Sequence, residues 1–281
     1  MTRQYVKRVG KKIHDLNGNP FLLKGVGLGG YMLPEGYMWG VYKYYERPRR
    51  FEALILEKTS EAYANYFWDT YYQTFISEAD FKLIKEKGFN SIRLPINFRL
   101  LMEENEVDDT VTYKPEGFHI IDTVIKYCKA YGLYLILDLH AAPGGQTGAN
   151  IDDSKYDLPE LFTKEIYQSQ LITLWEALAK RYKDETIIAA YDLLNEPLPN
   201  WHKDLFKCLV PLYKRIINAI RKIDPYHMIS IEGAHWATDF SMINESLDEN
   251  MILHFHKYWN APSIESIDYI LEKKIPLIFP F

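Results

Sequence analysis

The sequence predicts an α/β fold, a (β/α)8 TIM barrel that is incomplete at the C-terminus, with seven strands and an N-terminal hairpin. Three observations carry this. Short apolar, β-rich runs alternate with segments of helical periodicity along the whole chain. No dinucleotide fingerprint follows the first run, which sets aside a doubly wound sheet. The runs end in polar residues, as barrel strands do at the face that carries chemistry. At 281 residues and 47% hydrophobic content, the chain has enough apolar mass for one domain with a sizeable core. Residues 1–281 are therefore read as a single barrel domain, with 1–23 a hairpin capping its bottom and 31–75 an aromatic insertion after the first strand.

Each element has its own signal. Asp15-Leu16-Asn17-Gly18-Asn19 lies between apolar runs, and Asn-Gly predicts a two-residue hairpin turn there. Leu22 to Gly27 reads as the first barrel strand, and Gly25, Gly27, Gly29 and Gly30 let the backbone turn sharply at its end. A phosphate loop is the weaker reading, because no Lys-Ser or Lys-Thr follows. Within the insertion, helical character runs from Arg49 to Ala64. Ser77 with Asp80, the staple pair Ile76 and Phe81, and Gly88 as a stop predict a helix from Glu78 to Lys87. Apolar residues three or four apart predict further helices around Phe118 to Cys128, Leu171 to Tyr182 and Leu209 to Ile220. The remaining strands are Asn90 to Leu94, Leu133 to Leu139, Ile187 to Leu194, Met228 to Ile231, Met251 to Phe255 and Pro276 to Phe279. They show almost no polar alternation, as parallel strands buried on both faces should.

Composition narrows the function. A net charge of −5 without a long basic run gives no pull toward nucleic acid or anionic lipid. Cys128 and Cys208 lack metal-ligand spacing and sit at apolar helical positions, so both read as reduced core residues. Met1 to Lys12 has no apolar signal core and no run is long enough to span a bilayer, which predicts a cytoplasmic protein with no membrane partner. The many Tyr, Phe and Trp residues fit core packing first and sugar stacking second.

The strand ends carry Arg93, then Asp138 and His140, then Asn195 and Glu196, then Glu232, then His254 and His256. A barrel would converge them on one face. Each has an ordinary structural role as an alternative: Glu196 as a turn cap, Arg93 as an ion-pair partner, the histidines as hydrogen-bonded core groups, Glu232 as a salt bridge rather than a substrate contact.

Ser91-Ile92-Arg93-Leu94-Pro95, Asp138-Leu139-His140, Leu194-Asn195-Glu196-Pro197 and His254-Phe255-His256, in that order and spacing, resemble glycoside hydrolase family 5, the cellulase and exo-β-glucanase type. Ala141-Ala142-Pro143-Gly144-Gly145-Gln146 is most similar to the exo-β-glucanase-like members, and the resemblance runs from Gly10 to Ile278. It implies a retaining β-glycoside hydrolase that takes β-glucosides or β-glucans and needs no cofactor or metal. Glu196 matches the general acid/base and Asn195 the residue that bonds the sugar 2-hydroxyl. Arg93 matches the arginine that orients the nucleophile, and His140 and His254 match substrate-binding histidines. His256 stands where the family usually has Tyr. Trp236, in Glu232-Gly233-Ala234-His235-Trp236, matches a sugar platform, with Glu232 a substrate contact or a salt bridge.

The family's nucleophile is a glutamate after the seventh strand. In Ile275-Pro276-Leu277-Ile278-Phe279-Pro280-Phe281, Pro280 aligns with the preceding glycine and Phe281 with that glutamate. Retaining hydrolysis uses two carboxyl groups about 5 to 5.5 Å apart, so this departure predicts loss of most turnover. An inactive sugar-binding relative is therefore one alternative. A metal-dependent barrel hydrolase is another, since His254 with His256 and Asp138 with His140 alternate on their strands as zinc ligands can. A barrel left open at its edges also predicts self-association.

Overall fold

The computed structural model describes residues 4–258 and 277–278. The Pro280 and Phe281 positions lie outside the described residues.

The chain opens with a three-stranded antiparallel sheet, β1 (Lys7–Val9), β2 (Lys12–His14) and β3 (Pro20–Phe21). The two-residue turn is at Gly10-Lys11, where Gly10 has φ +61 and Val9 pairs with Lys12. Asn17-Gly18 belongs instead to the longer loop 15–19 between the partners His14 and Pro20. The cause is Asp15, whose Oδ1 accepts from the backbone N–H of both Asn17 and Asn19 at 2.9 and 2.8 Å, so the side chain closes a wider turn than Asn-Gly alone would make.

Seven parallel strands follow in sequence order: β4 (Gly25–Gly27), β5 (Ser91–Asn97), β6 (Tyr134–Ala141), β7 (Ile188–Asp192), β8 (Met228–Glu232), β9 (Met251–His254) and β10 (Leu277–Ile278). Strictly sequential, all-parallel order is the arrangement of a (β/α)8 barrel that has not closed. The first strand is shorter than its apolar run because Asn90 bridges its start. The Asn90 side chain accepts from Lys24 N–H at 2.7 Å and donates to the Leu22 carbonyl at 2.8 Å.

The interior is layered. On β6 the outward Leu135, Leu137 and Leu139 pack under the helices, while Ile136 joins Ala190, Met228 and Ile252 in a second cluster inside the barrel. Val6, just before β1, and Ile13 of β2 join that cluster, so the N-terminal segment packs against the apolar end of the barrel interior. Above it the inward positions turn polar, beginning with Arg93, Asp138, Asp192 and His254, all buried.

Helices α3 (Glu78–Glu86), α5 (Pro115–Tyr131), α6 (Glu165–Tyr182) and α7 (Leu209–Arg221) cover the outside, with the short α4 (Phe98–Leu101) after β5. Ser77 and Asp80 form the expected capping box at α3. In the 31–75 stretch the single predicted helix is two: α1 (Pro48–Lys58) and α2 (Glu61–Thr74). Ser60 caps the second, its side chain accepting from Tyr63 N–H, which is why the chain breaks there. Cys128 is buried in α5, and burial pushes its thiol up to about 12. Cys208 falls in a 3-10 stretch before α7 and is only partly buried, a correction to its predicted core helical position. Among the described residues no helix is long and apolar enough to cross a membrane.

Candidate active site

The polar strand ends converge as the barrel predicts. At the bottom of the site Arg93 Nη2 lies 3.1 Å from Asp138 Oδ1, 2.9 Å from Asp192 Oδ2 and 2.9 Å from Glu232 Oε1. It also donates to Asn195 Oδ1 at 2.9 Å. One planar, permanently charged fork thus ties four strands together and compensates carboxylates that are themselves fully buried. His254 Nδ1 adds to this layer, 2.8 Å from Asp192 and 3.2 Å from Glu232. Burial opposes the charge on Asp192, but His254 and Arg93 outweigh it and hold the carboxyl well below the usual range.

Asn195 passes this order upward. With its carbonyl oxygen on Arg93, its amide nitrogen donates to His140 Nε2 at 3.1 Å, which leaves Nδ1–H of His140 to donate to Asp138 Oδ2 at 2.6 Å. The ring is fixed in one tautomer and one orientation. Gln146, on the loop after β6, secures both segments by donating to the backbone carbonyls of His140 and Asn195.

Glu196 is held by its backbone as well as its side chain. Its φ is +44 and that of Leu198 is +51, conformations that cost a non-glycine residue roughly 1–2 kcal/mol. The carboxylate of Glu232 offsets the first by accepting the Glu196 N–H at 2.6 Å; Gln146 O offsets the second by accepting the Leu198 N–H at 3.0 Å. The Glu196 side chain is thereby turned onto a cavity of about 950 Å³, where Oε1 contacts His256 Nδ1. His256 bridges Glu196 and Glu232. Burial works against its charge, yet the Glu232 and Glu196 carboxylates raise it to about 10, so it is an imidazolium at neutral pH.

Of the residues singled out in the sequence, Arg93, His140, Glu196, Trp236 and His256 reach the cavity wall. Asn195, Glu232 and His254 do not: they are fully buried beneath it. Their polar contacts include Arg93, His140, Asp192 and His256, which ties all three to the layer below the cavity. Glu232 makes the salt bridge to Arg93. Glu35 was missed by sequence reasoning. It lines the cavity at 6% exposure, hydrogen-bonded to Tyr37, and burial raises its carboxyl, with the charge of Glu196 adding and His140 opposing. Its signal was an acid flanked by Pro34 and Gly36 just past the first strand. Tyr37, Met38 and Tyr258 on the rim were likewise not foreseen.

Glu232, His254 and His256 each place a donor atom within 4.8 Å of the others, a metal-like set. The Arg93 guanidinium already sits 2.9 Å from Glu232 Oε1, and a divalent ion there would face that fixed positive charge. The set fits the arginine better than a metal.

Residues 56–268 match the family model "Cellulase (glycosyl hydrolase family 5)". The chain belongs to glycosyl hydrolase family 5. Its similar proteins include a β-xylosidase from Phanerodontia chrysosporium, 36% identical over 256 residues, spanning 90% of this chain and 52% of that protein. Endoglucanase C from Acetivibrio thermocellus is 30% identical over 198 residues, 68% of this chain and 53% of the relative. Among solved structures, endoglucanase Cel5A from the hyperthermophilic Thermotoga maritima superposes with TM-score 0.52 at 25% identity, covering 65% of this chain and 53% of that one. The chain spans about half the length of the curated relatives it matches.

Proposed function

We propose that this family 5 chain is a β-glycoside hydrolase acting on β-glucosides or β-glucans, with Glu196 as the general acid/base. The observation that carries the reading is the placement of Glu196: a carboxyl at the end of β7, turned onto the cavity by a strained backbone that Glu232 holds. In that role Glu196 gives its proton to the glycosidic oxygen as that bond breaks, and its carboxylate then takes the proton of the water that bonds to the anomeric carbon; in the family a second carboxylate first holds that carbon as a glycosyl ester, at the position where this sequence has Phe281. His140 and Arg93 meet the sugar from the β5 and β6 side of the cavity. The names of the relatives, a β-xylosidase and an endoglucanase, support a β-linked sugar substrate.

The test is sugar release from 4-nitrophenyl β-glucoside, 4-nitrophenyl β-xyloside and cellotriose by the chain carrying Phe281→Glu, which restores the carboxylate the family has at that position, with and without Glu196→Gln. Release by the Phe281→Glu chain that falls roughly 10²- to 10⁴-fold on cellotriose when Glu196→Gln is added is expected. No release by the Phe281→Glu chain from any of the three, or equal release by both proteins, overturns the reading.

A further inference from the structure

Two irregular segments form part of the cavity wall. Residues 35–46, past β4, place Glu35, Tyr37 and Met38 there, and residues 148–157, in the loop after β6, place Asn150 and Ile151. Neither segment is a strand or an α-helix, so no ladder or helix fixes the spacing between them. The first closes on itself: Gly36 N–H donates to Glu46 O at 2.8 Å and Val41 N–H to Gly36 O at 2.9 Å. Glycine permits that closure, since a Cβ at position 36 would stand 2.4 Å from the Tyr45 carbonyl oxygen. Glu35 enters the closed loop and Arg47 leaves it.

Arg47 ties the two segments together. It is 4% exposed and does not line the cavity itself. Nη1 donates to the Ser154 carbonyl oxygen at 2.7 Å and to Ser154 Oγ at 2.5 Å, and Nη2 donates to the Gly148 carbonyl oxygen at 2.7 Å. Asn150 and Ile151 lie between those two carbonyls in sequence, so one planar fork holds their stretch at both ends. The arginine's own backbone is fixed as well: its carbonyl accepts from Arg50 and Phe51 N–H at 3.0 and 2.9 Å, which starts α1. A second tie runs beside it. Asp153 accepts from Arg49 N–H and from Asn97 Nδ2, each at 2.9 Å, and so references the loop to the end of β5. A surface ion pair does not account for Arg47. Its carboxylate partner Asp157, 2.6 Å from Nη1, has a side chain 55% exposed and shared with Arg50, which makes the pair weak. Burial meanwhile pulls the guanidinium below its ordinary pKa. A buried cation whose fork is taken up by main-chain carbonyls serves geometry more than stability.

We propose that Arg47 is a positioning residue for the glycosidase: from outside the cavity it sets the gap between the wall that carries Glu35 and Tyr37 and the wall that carries Asn150 and Ile151, and through that gap the fit of the sugar. The inference rests on the glycosidase reading and deepens it. Proton transfer is separate, because Glu232 holds the Glu196 backbone without any contribution from Arg47. Loss of Arg47 therefore acts on sugar binding and leaves the leaving-group chemistry in place.

The experiment uses the full chain carrying Phe281→Glu, with and without Arg47→Ala, or Arg47→Lys if the alanine variant does not fold. On whichever 4-nitrophenyl β-glycoside is cleaved, KM should rise about fivefold or more while kcat stays within about threefold, as when binding rather than chemistry is lost. Millimolar guanidinium should lower the raised KM, and the same concentration of sodium chloride should not. Hydrogen exchange of the sugar-free protein should quicken in residues 36–46 and 148–157 but not in β5 to β8. Asp157→Asn, which removes the ion pair and keeps the carbonyl bonds, should leave KM within about twofold. An unchanged KM in the arginine variant, unchanged exchange in both segments, or an Asp157→Asn effect equal to that of Arg47→Ala overturns the inference while the glycosidase reading stands. No sugar release by the Phe281→Glu chain overturns both readings.

Discussion

Arg93 and His256 between them set the charge of the site, and they do so differently. Arg93 cannot release its proton and sits among three carboxylates, so its contribution is independent of pH over the ordinary range. His256 can. Its pKa in the folded protein is about 10 against about 6.5 for an unperturbed imidazole, so the folded state holds the proton more tightly than the unfolded one. The sign follows: the stabilisation is fully present below about pH 6.5 and is lost as pH rises toward 10. Replacing His256 with Gln should lower Tm most at pH 6, and the gap to the wild type should narrow steadily up to pH 10. A gap that stays constant or widens over that interval contradicts the imidazolium assignment. Glu196 was legible in the sequence because a buried run leads directly into Asn195-Glu196-Pro197. Glu35 was not, because no strand delivers it: it reaches the cavity through an irregular segment whose path a sequence does not reveal.

The loop from Ala142 to Pro159, after β6, shows how one element organises the site from outside it. Gly144 and Gly145 both have positive φ, and a Cβ on Gly145 would stand 2.2 Å from the Ser154 Cβ. Backbone N–H groups of Thr147, Gly148 and Ser154 all donate to Asp152, which folds the loop on itself and aims Gln146 at the His140 and Asn195 carbonyls. Gly145→Ala should therefore destabilise the fold by roughly 1–3 kcal/mol, as a side chain forced into left-handed backbone does, and lower kcat/KM by more than it lowers stability. Urea unfolding and steady-state kinetics check this; a variant with unchanged kcat/KM would show that the loop does not position the site. The Pro-Gly-Gly-Gln run was visible as a motif, yet its work is done through contacts 49 residues away in sequence, between Gln146 and Asn195. The loop 15–19 failed for the opposite reason, a local one: Asp15 supplied a competing turn that the Asn-Gly signal alone does not register.

At the scale of the molecule, one inward-facing column per strand changes from apolar to polar with height. Ile252 then His254 on β9, and Ile136 then Asp138 and His140 on β6, run from the apolar cluster shared with Val6 and Ile13 up to the cavity. The strands were recognised by their apolar character, but the split of each into an outward and an inward face was hidden, because both faces are buried and neither shows the polar alternation of a solvent-facing sheet. That hidden column explains why Asn195, Glu232 and His254 lie beneath the cavity although they end their strands as the wall residues do. On the reading proposed above, the whole arrangement serves a proton donor at position 196. The most direct measurement is the dependence of hydrolysis rate on leaving-group pKa for a series of aryl β-glucosides, compared between the Phe281→Glu chain and the same chain with Glu196→Gln added. A shallow dependence in the Phe281→Glu chain and a steep one with Glu196→Gln, with the two converging at the most acidic phenols that need no protonation, is the predicted result. Parallel lines of equal slope would contradict the assignment of Glu196 as the acid.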